Sequence, residues 1–187
     1  MKRPPGQLRI IGGDWRSRIV EFEAAAGVRP TPDRVRQTLF DWLTPTITGA
    51  RGLDLFAGSG ALGLEALSRG AAHVTFVESG EKQAGMIRIA LEKLAAKARA
   101  DVRLENARAF LKRTPAAPYD VVFLDPPFDS GLLEPALAQL PPHLAPGAHV
   151  YVEWLAKAPL VLPAGFALVR EKQAGQVSYG LATHGNA

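Results

Sequence analysis

Apolar positions along the chain fall into short runs broken by glycine- and proline-marked turns, and the pattern changes after residue 50. From Leu8 to Phe22, the β-prone runs Leu8-Arg9-Ile10-Ile11 and Ile19-Val20-Glu21-Phe22 flank Gly12-Gly13-Asp14, which predicts a hairpin. Thr31 followed by Pro32 predicts a helix start with Thr31 as N-cap and proline at the first helical position. Val35, Leu39 and Leu43, with Phe40 and Trp42, supply the apolar side of that helix, and Thr44-Pro45 is expected to end it.

Beyond residue 50 the pattern becomes strand, turn, helix, repeated. The expected strands are Leu53 to Phe56, His73 to Glu78, Val102 to Glu105, Tyr119 to Asp125 and His149 to Trp154. Helical stretches from Ala61 to Ser68, Glu81 to Ala98, Ala107 to Lys112 and Leu132 to Leu140 lie between them. Such alternation argues for an α/β domain with a parallel sheet covered on both faces. Two last runs, Phe166 to Lys172 and Gln176 to Ala182, are joined through Ala174-Gly175 with no room for a crossover helix, so they form an antiparallel hairpin. The chain reads as a single domain: residues 1–45 as a hairpin-and-helix extension, and 46–187 as the core.

Composition narrows the function. At 187 residues, 47% of them hydrophobic, the chain can build one sizeable core, and no apolar run approaches the ~20 residues that cross a bilayer. Lys2 and Arg3 are followed by no apolar segment with a cleavage site, so no secretory signal is expected and the cytoplasm is the expected compartment. The absence of cysteine removes disulfides, thiolate catalysis and Cys-based zinc. His73, His143, His149 and His184 show no metal-ligand spacing, so no metal is expected. The net charge of +4 is concentrated in residues 1–50, where Arg16, Arg18, Arg29 and Arg34 are candidate phosphate contacts, with a solvated basic face as the alternative.

The chemistry concentrates in two places. Leu53-Asp54-Leu55-Phe56-Ala57-Gly58-Ser59-Gly60-Ala61-Leu62-Gly63 is a strand, a glycine turn and a helix start, a combination that lets a nucleoside approach the backbone. Gly58, Gly60 and Gly63 by themselves also match the dinucleotide fingerprint, and Glu78 stands where an acid receives ribose hydroxyls in either cofactor class. Asp54 separates the classes, because an acid at that turn orients a cationic, phosphate-free cofactor and repels a pyrophosphate. Asp125-Pro126-Pro127-Phe128 follows the apolar Val121 to Leu124 at the carboxyl edge of the sheet. The lone pair of an aromatic amine is delocalised into the ring. A carboxylate (Asp125) and a carbonyl (Pro126) accepting its two N–H bonds would aim that lone pair at a methyl donor. The prolines stiffen the backbone, and Phe128 would stack on the extruded base. A proline-stopped strand with a buried Phe is the bland reading of the same four residues.

Across nearly the whole chain the sequence resembles the bacterial RsmD-type 16S rRNA guanine-N2 methyltransferases. The resemblance is carried by Leu8 to Gly13 with Trp15-Arg16, Arg29-Pro30-Thr31 with Asp33 to Arg36 and Leu39-Phe40, Leu53 to Arg69, Asp125 to Phe128, and Glu171-Lys172 with Gly175-Gln176-Val177. It implies a Rossmann-like class I S-adenosylmethionine-dependent methyltransferase fold, with a mostly parallel seven-stranded sheet and an antiparallel last strand. It also implies S-adenosyl-L-methionine as donor, and 16S rRNA or the small ribosomal subunit particle as substrate; the chain is expected to be a monomer. By position, the resemblance puts Asp54, Gly58 and Gly60 at the methionine end of the cofactor, with Phe56 and Ser59 in the same turn. It puts Glu78 at the ribose and Asn106 with Ala107 at the adenine. Arg29, Thr31 and Arg36 would close the pocket near the cofactor carboxylate or the RNA. Asn106 stands where relatives of the fold often place Asp, and Gly80 where a second acid often follows.

Three other readings use the same residues. Adenine N6 in RNA or DNA could be served by the same tetrapeptide, although so short a chain has no added target-recognition domain. A non-catalytic ribosome-assembly factor could retain the fold. A nicotinamide oxidoreductase would rest on the glycines alone.

Overall fold

A computed structural model describes residues 5–24 and 30–185. Arg29, one of the candidate phosphate contacts, lies outside the described residues. Strands β1 (Gly6–Arg9) and β2 (Ile19–Phe22) pair antiparallel, with Leu8 opposite Val20. The hairpin is therefore present, but its connection is wider than a tight Gly12-Gly13-Asp14 turn. Residues 10–18 include a 3-10 turn, Gly13–Trp15, that buries Trp15. Gly13 has φ +76°, and a Cβ there would stand 1.9 Å from the Ser68 carbonyl oxygen, so only glycine permits this approach.

Helix α1 (Asp33–Ile47) begins two residues after Thr31. Pro32 occupies the N-cap position, and no side chain caps the helix, because the Thr31 hydroxyl is turned toward Asp125 instead. The helix also runs past Pro45. Pro45 and Asp41 are exposed, so water can reach the Asp41 carbonyl that loses its N–H partner, while the buried Ile47 rewards another half-turn of helix.

The core follows as β3 (Arg51–Asp54), α2 (Ala61–Ser68), β4 (His73–Glu78), α3 (Glu81–Lys93), β5 (Ala100–Leu104), α4 (Ala107–Leu111), β6 (Tyr119–Leu124), α5 (Leu133–Gln139), β7 (Leu144–Leu155), β8 (Phe166–Ala174) and β9 (Val177–His184). The seven strands lie in the order β5-β4-β3-β6-β7-β9-β8. The first five are parallel, and β9 is antiparallel to both of its neighbours. Val74, Phe76, Val121 and Phe123 point into one apolar layer with α1, α2 and α3, while Leu53, Val122, Val150 and Val152 point into the other with α4 and α5. This is the doubly covered sheet that the pattern of runs predicts. Chain order reverses between β3 and β6, so the crevice at their carboxyl ends is the topological switch point.

Helix α3 stops at Lys93 rather than continuing to Ala98. Ala96 N–H bonds the Leu91 carbonyl at 2.8 Å and Ala95 N–H the Glu92 carbonyl at 3.0 Å, with Ala95 in the left-handed region at φ +53°. This is a Schellman ending with alanine where glycine is usual.

The extension is fastened to the core by one carboxylate. Glu65, fully buried on α2, accepts from the backbone N–H groups of Ile11 (2.9 Å) and Gly12 (2.8 Å), and from Arg36 Nη1 (3.3 Å) and Arg69 Nε (2.8 Å). Arg36, 1% exposed, also donates to the Arg9 and Thr31 carbonyls and to Asp33.

Glu65→Leu is expected to lose about 3–5 kcal/mol of unfolding free energy, because it strands a buried guanidinium and two N–H groups. Arg9→Ala, which removes a solvated pair with Asp33 at the rim, should lose less than about 1 kcal/mol. Urea denaturation of the two variants checks the contrast, and equal losses would refute it. In the same assay Ala95→Gly should gain about 1 kcal/mol by relieving the left-handed alanine.

Candidate active site

The carboxyl ends of β3, β4, β6 and β7 open into a cavity of about 1100 Å³. Its floor is the turn after β3. There Gly58, at φ +51°, donates its N–H to Glu78 Oε2 at 2.7 Å, and Gly80 donates to Glu78 Oε1 at 2.7 Å. Glu78 thus shapes the turn with both oxygens and still lines the cavity, where its remaining lone pairs can receive hydroxyls. Asp54 accepts from the Gly63 N–H in the first turn of α2 at 3.0 Å through Oδ2, while its buried Oδ1 has no partner.

The three glycines have different duties. Gly58 lines the cavity. Gly60 does not: it caps α2 at φ +76°, with its Cβ position 3.1 Å from Ile87. Gly63 lets α2 close on β4, since a Cβ there would fall 2.2 Å from the Phe76 ring. Phe56 and Ser59 both line the cavity. Ser59 Oγ accepts from the Ala61 N–H at 3.3 Å, inside the turn.

The β6 end supplies Asp125, Pro126, Pro127 and Phe128, all on the wall. Asp125 Oδ2 accepts from the Thr31 hydroxyl at 3.4 Å, and its buried Oδ1 is unpartnered. Pro127 O is held by Ser130, whose N–H and hydroxyl donate at 3.0 and 2.6 Å and fix the turn beyond the prolines. Phe128 is 45% exposed and is joined at the mouth by the exposed Leu132 and Leu155. The bland reading of a buried Phe therefore does not hold. An aromatic face left in water at the lip of a cavity is placed to meet a flat ligand.

Several sequence candidates sit differently from expectation. Arg36 does not line the cavity, because its guanidinium is consumed inside the protein; it holds the Thr31 backbone from behind. Asn106 and Ala107 do line it, but Asn106 Oδ1 is already engaged as the N-cap of α4, accepting from Ala109 N–H at 2.8 Å. Arg16, Arg18 and Arg34 are exposed and away from the cavity lining, with Arg18 reaching the Lys93 carbonyl at 3.3 Å. The sequence reading missed Glu153 on β7, which lines the cavity and accepts from the Tyr151 hydroxyl at 2.6 Å. The available signal was an acid interrupting the apolar run His149 to Trp154 near its carboxyl end.

These acids share one electrostatic situation. Burial pushes the Asp54 carboxyl up to about 7, opposed by the Gly63 N–H and reinforced by the charge of Glu78. Burial also raises Asp125 well above the usual carboxylate range, and the charges of Glu153 and Asp54 raise it further. Glu153 is raised by burial too, against the hydrogen bonds from Tyr151 and Thr31. A cavity walled by crowded, desolvated carboxylates, two of them with an unpartnered oxygen, is suited to a cationic ligand bearing N–H donors.

Known proteins agree with this architecture. The family model described as conserved hypothetical protein 95 matches residues 8–183. Ribosomal RNA small subunit methyltransferase D of Escherichia coli K12 is 47% identical over 97% of this chain and 94% of its own length. The protein of the same name from Haemophilus influenzae is 44% identical over 94% and 93%. The solved structure of the E. coli protein yhhF, provisionally named a methyltransferase, superposes with a TM-score of 0.87 at 45% identity, covering 96% of this chain and 98% of that one. By the match over almost its full length, this chain belongs to the conserved hypothetical protein 95 family, the family of the ribosomal RNA small subunit methyltransferase D proteins.

Proposed function

We propose that this protein transfers a methyl group from S-adenosyl-L-methionine to the exocyclic N2 of one guanine in 16S rRNA of the small ribosomal subunit. The observation that carries the reading is Asp125, whose buried, unpartnered Oδ1 faces a cation-seeking cavity beside an exposed aromatic ring. S-adenosylmethionine brings a sulfonium-activated methyl group and, in its ammonium and sulfonium, the positive charge that Asp54 and its neighbours lack. Glu78 receives the ribose hydroxyls, and the segment from Asn106 to Ala107 borders the adenine. Asp125 and the Pro126 carbonyl accept the two N–H bonds of the amine. Phe128, with Leu132 and Leu155 around it, holds the base outside its own stack. Rate enhancement then comes chiefly from fixed geometry, since the leaving group is already activated.

The substrate class rests on the family together with the exposed Arg16, Arg18 and Arg34, which are suited to phosphate contact. The protein acts in this reading as a cytoplasmic monomer. Among the described residues no helix is long and apolar enough to cross a membrane.

Nucleotide-resolved transfer from labelled S-adenosylmethionine to small-subunit particles, stripped 16S rRNA and duplex DNA tests the reading. The expected result is label on one guanine of the particle or its RNA; label on adenine would overturn the acceptor. Asp125→Ala should abolish transfer while cofactor binding survives, and Phe128→Ala should weaken the base interaction by ~1–3 kcal/mol. Cofactor affinity should also rise with pH. A cation favours ionised Asp54, so binding lowers its pKa and releases protons; affinity strengthens as pH climbs through about 7 and levels off above it. Calorimetry across that range checks the sign, and a flat profile would count against Asp54.

A further inference from the structure

Glu153 belongs to the cavity wall but has no part in holding the cofactor or the amine. It follows Tyr151 by two residues on β7, so both side chains leave the same face of the strand. Tyr151 donates to Glu153 Oε1 at 2.6 Å. The Thr31 hydroxyl donates to Asp125 Oδ2 at 3.4 Å and lies within hydrogen-bonding reach of Glu153 as well. On the other side of the Asp125 carboxyl, Oδ1 is open. The groups form a line: an open oxygen, Asp125, Thr31, Glu153 and Tyr151. Holding an amine requires only the first of these carboxylates. A second one buried nearby raises the cost of charging Asp125, and such crowding is characteristic of sites that move protons.

We propose that Glu153 is the terminal acceptor of the proton that guanine N2 sheds on methylation, reached through the Asp125 carboxylate and the Thr31 hydroxyl. The inference rests on the guanine-amine reading above. N2 commits its lone pair to the new bond with the methyl carbon, while the electron pair of the broken carbon–sulfur bond stays with the donor's sulfur. The nitrogen is left positively charged with two hydrogens, and one proton passes to Asp125 Oδ1. A half-turn of the carboxyl presents that proton to Thr31, which accepts it as its own hydroxyl proton moves to Glu153. Asp125 is again a carboxylate, Thr31 is unchanged, and the amine is neutral. The Tyr151 hydroxyl holds Glu153 in place throughout.

The test is single-turnover methylation of small-subunit particles by the wild type and by Glu153→Gln, Glu153→Asp and Thr31→Val. Glutamine keeps the shape and the hydrogen bond from Tyr151 but cannot take a proton; aspartate keeps the basic group on a shorter arm. Proton acceptance ranks aspartate above glutamine, whereas a packing role ranks them the other way. We expect Glu153→Gln to slow the transfer step on the order of 10²-fold with particle affinity unchanged, Glu153→Asp to recover part of the rate, and Thr31→Val to fall with Glu153→Gln. Infrared difference spectra of one turnover should show a protonated carboxyl that Glu153→Gln removes. A wild-type rate in Glu153→Gln, a better rate in glutamine than in aspartate, or no such band would overturn the inference. If Glu153→Gln does not fold, a wild-type rate in Thr31→Val overturns it. Guanine label from the wild type alongside any of these results defeats this inference alone; absence of guanine label from the wild type defeats the acceptor reading and this inference with it.

Discussion

The carboxylate of Glu65 is the constraint on which the rest of the arrangement depends. A charge fully removed from water is tolerable only when its lone pairs are filled, and the four donors that fill them come from three separate parts of the chain: the hairpin connection, α1 and α2. Satisfying Glu65 therefore fixes where the N-terminal segment lies against the core. The fixation continues outward. Arg36, held by Glu65, grips the Thr31 carbonyl at 3.1 Å, and the Thr31 hydroxyl meets Asp125. A residue that never touches the cavity thus determines how the wall of the cavity is completed, and the extension becomes part of the site.

Sheet topology does the complementary work. The reversal of strand order between β3 and β6 brings Asp54 and Asp125 to one crevice, although 70 residues separate them, and β7 adds Glu153 from the next strand over. Each carboxylate raises the cost of ionising its neighbours. Folding has gathered repelling groups at the one place where a cation can relieve them, a stability deficit localised at a functional site.

Much of this could be read from the residues. Buried strands alternating with helices, a hairpin too tightly joined for a crossover, the glycine turn and the tetrapeptide after β6 all have local signatures, and the structure contains those elements. What was misread depends on distant partners. Arg36 looks like a ligand contact because charge usually means surface, and its consumer, Glu65, is 29 residues away. Thr31 has the signature of a cap, yet its hydroxyl is used by Asp125, 94 residues on. Glu153 is one acid in an apolar run, and only the register of β7 beside β6 turns it into the cavity. The two helix ends fail for a local reason: an exposed proline can be carried by a helix with a buried residue beyond it, and an alanine in the left-handed region gives no breaker signal.

The crowded acids of the cavity also bear on what happens after the chemistry. The donor arrives with a sulfonium charge, and its spent form has a neutral sulfur. Carboxylates that attract the first have less to attract in the second, so the reaction removes part of its product's electrostatic hold. The wall that recruits the donor thereby favours exchange of spent cofactor for fresh, and directionality in the cycle is written into the placement of Asp54, Asp125 and Glu153.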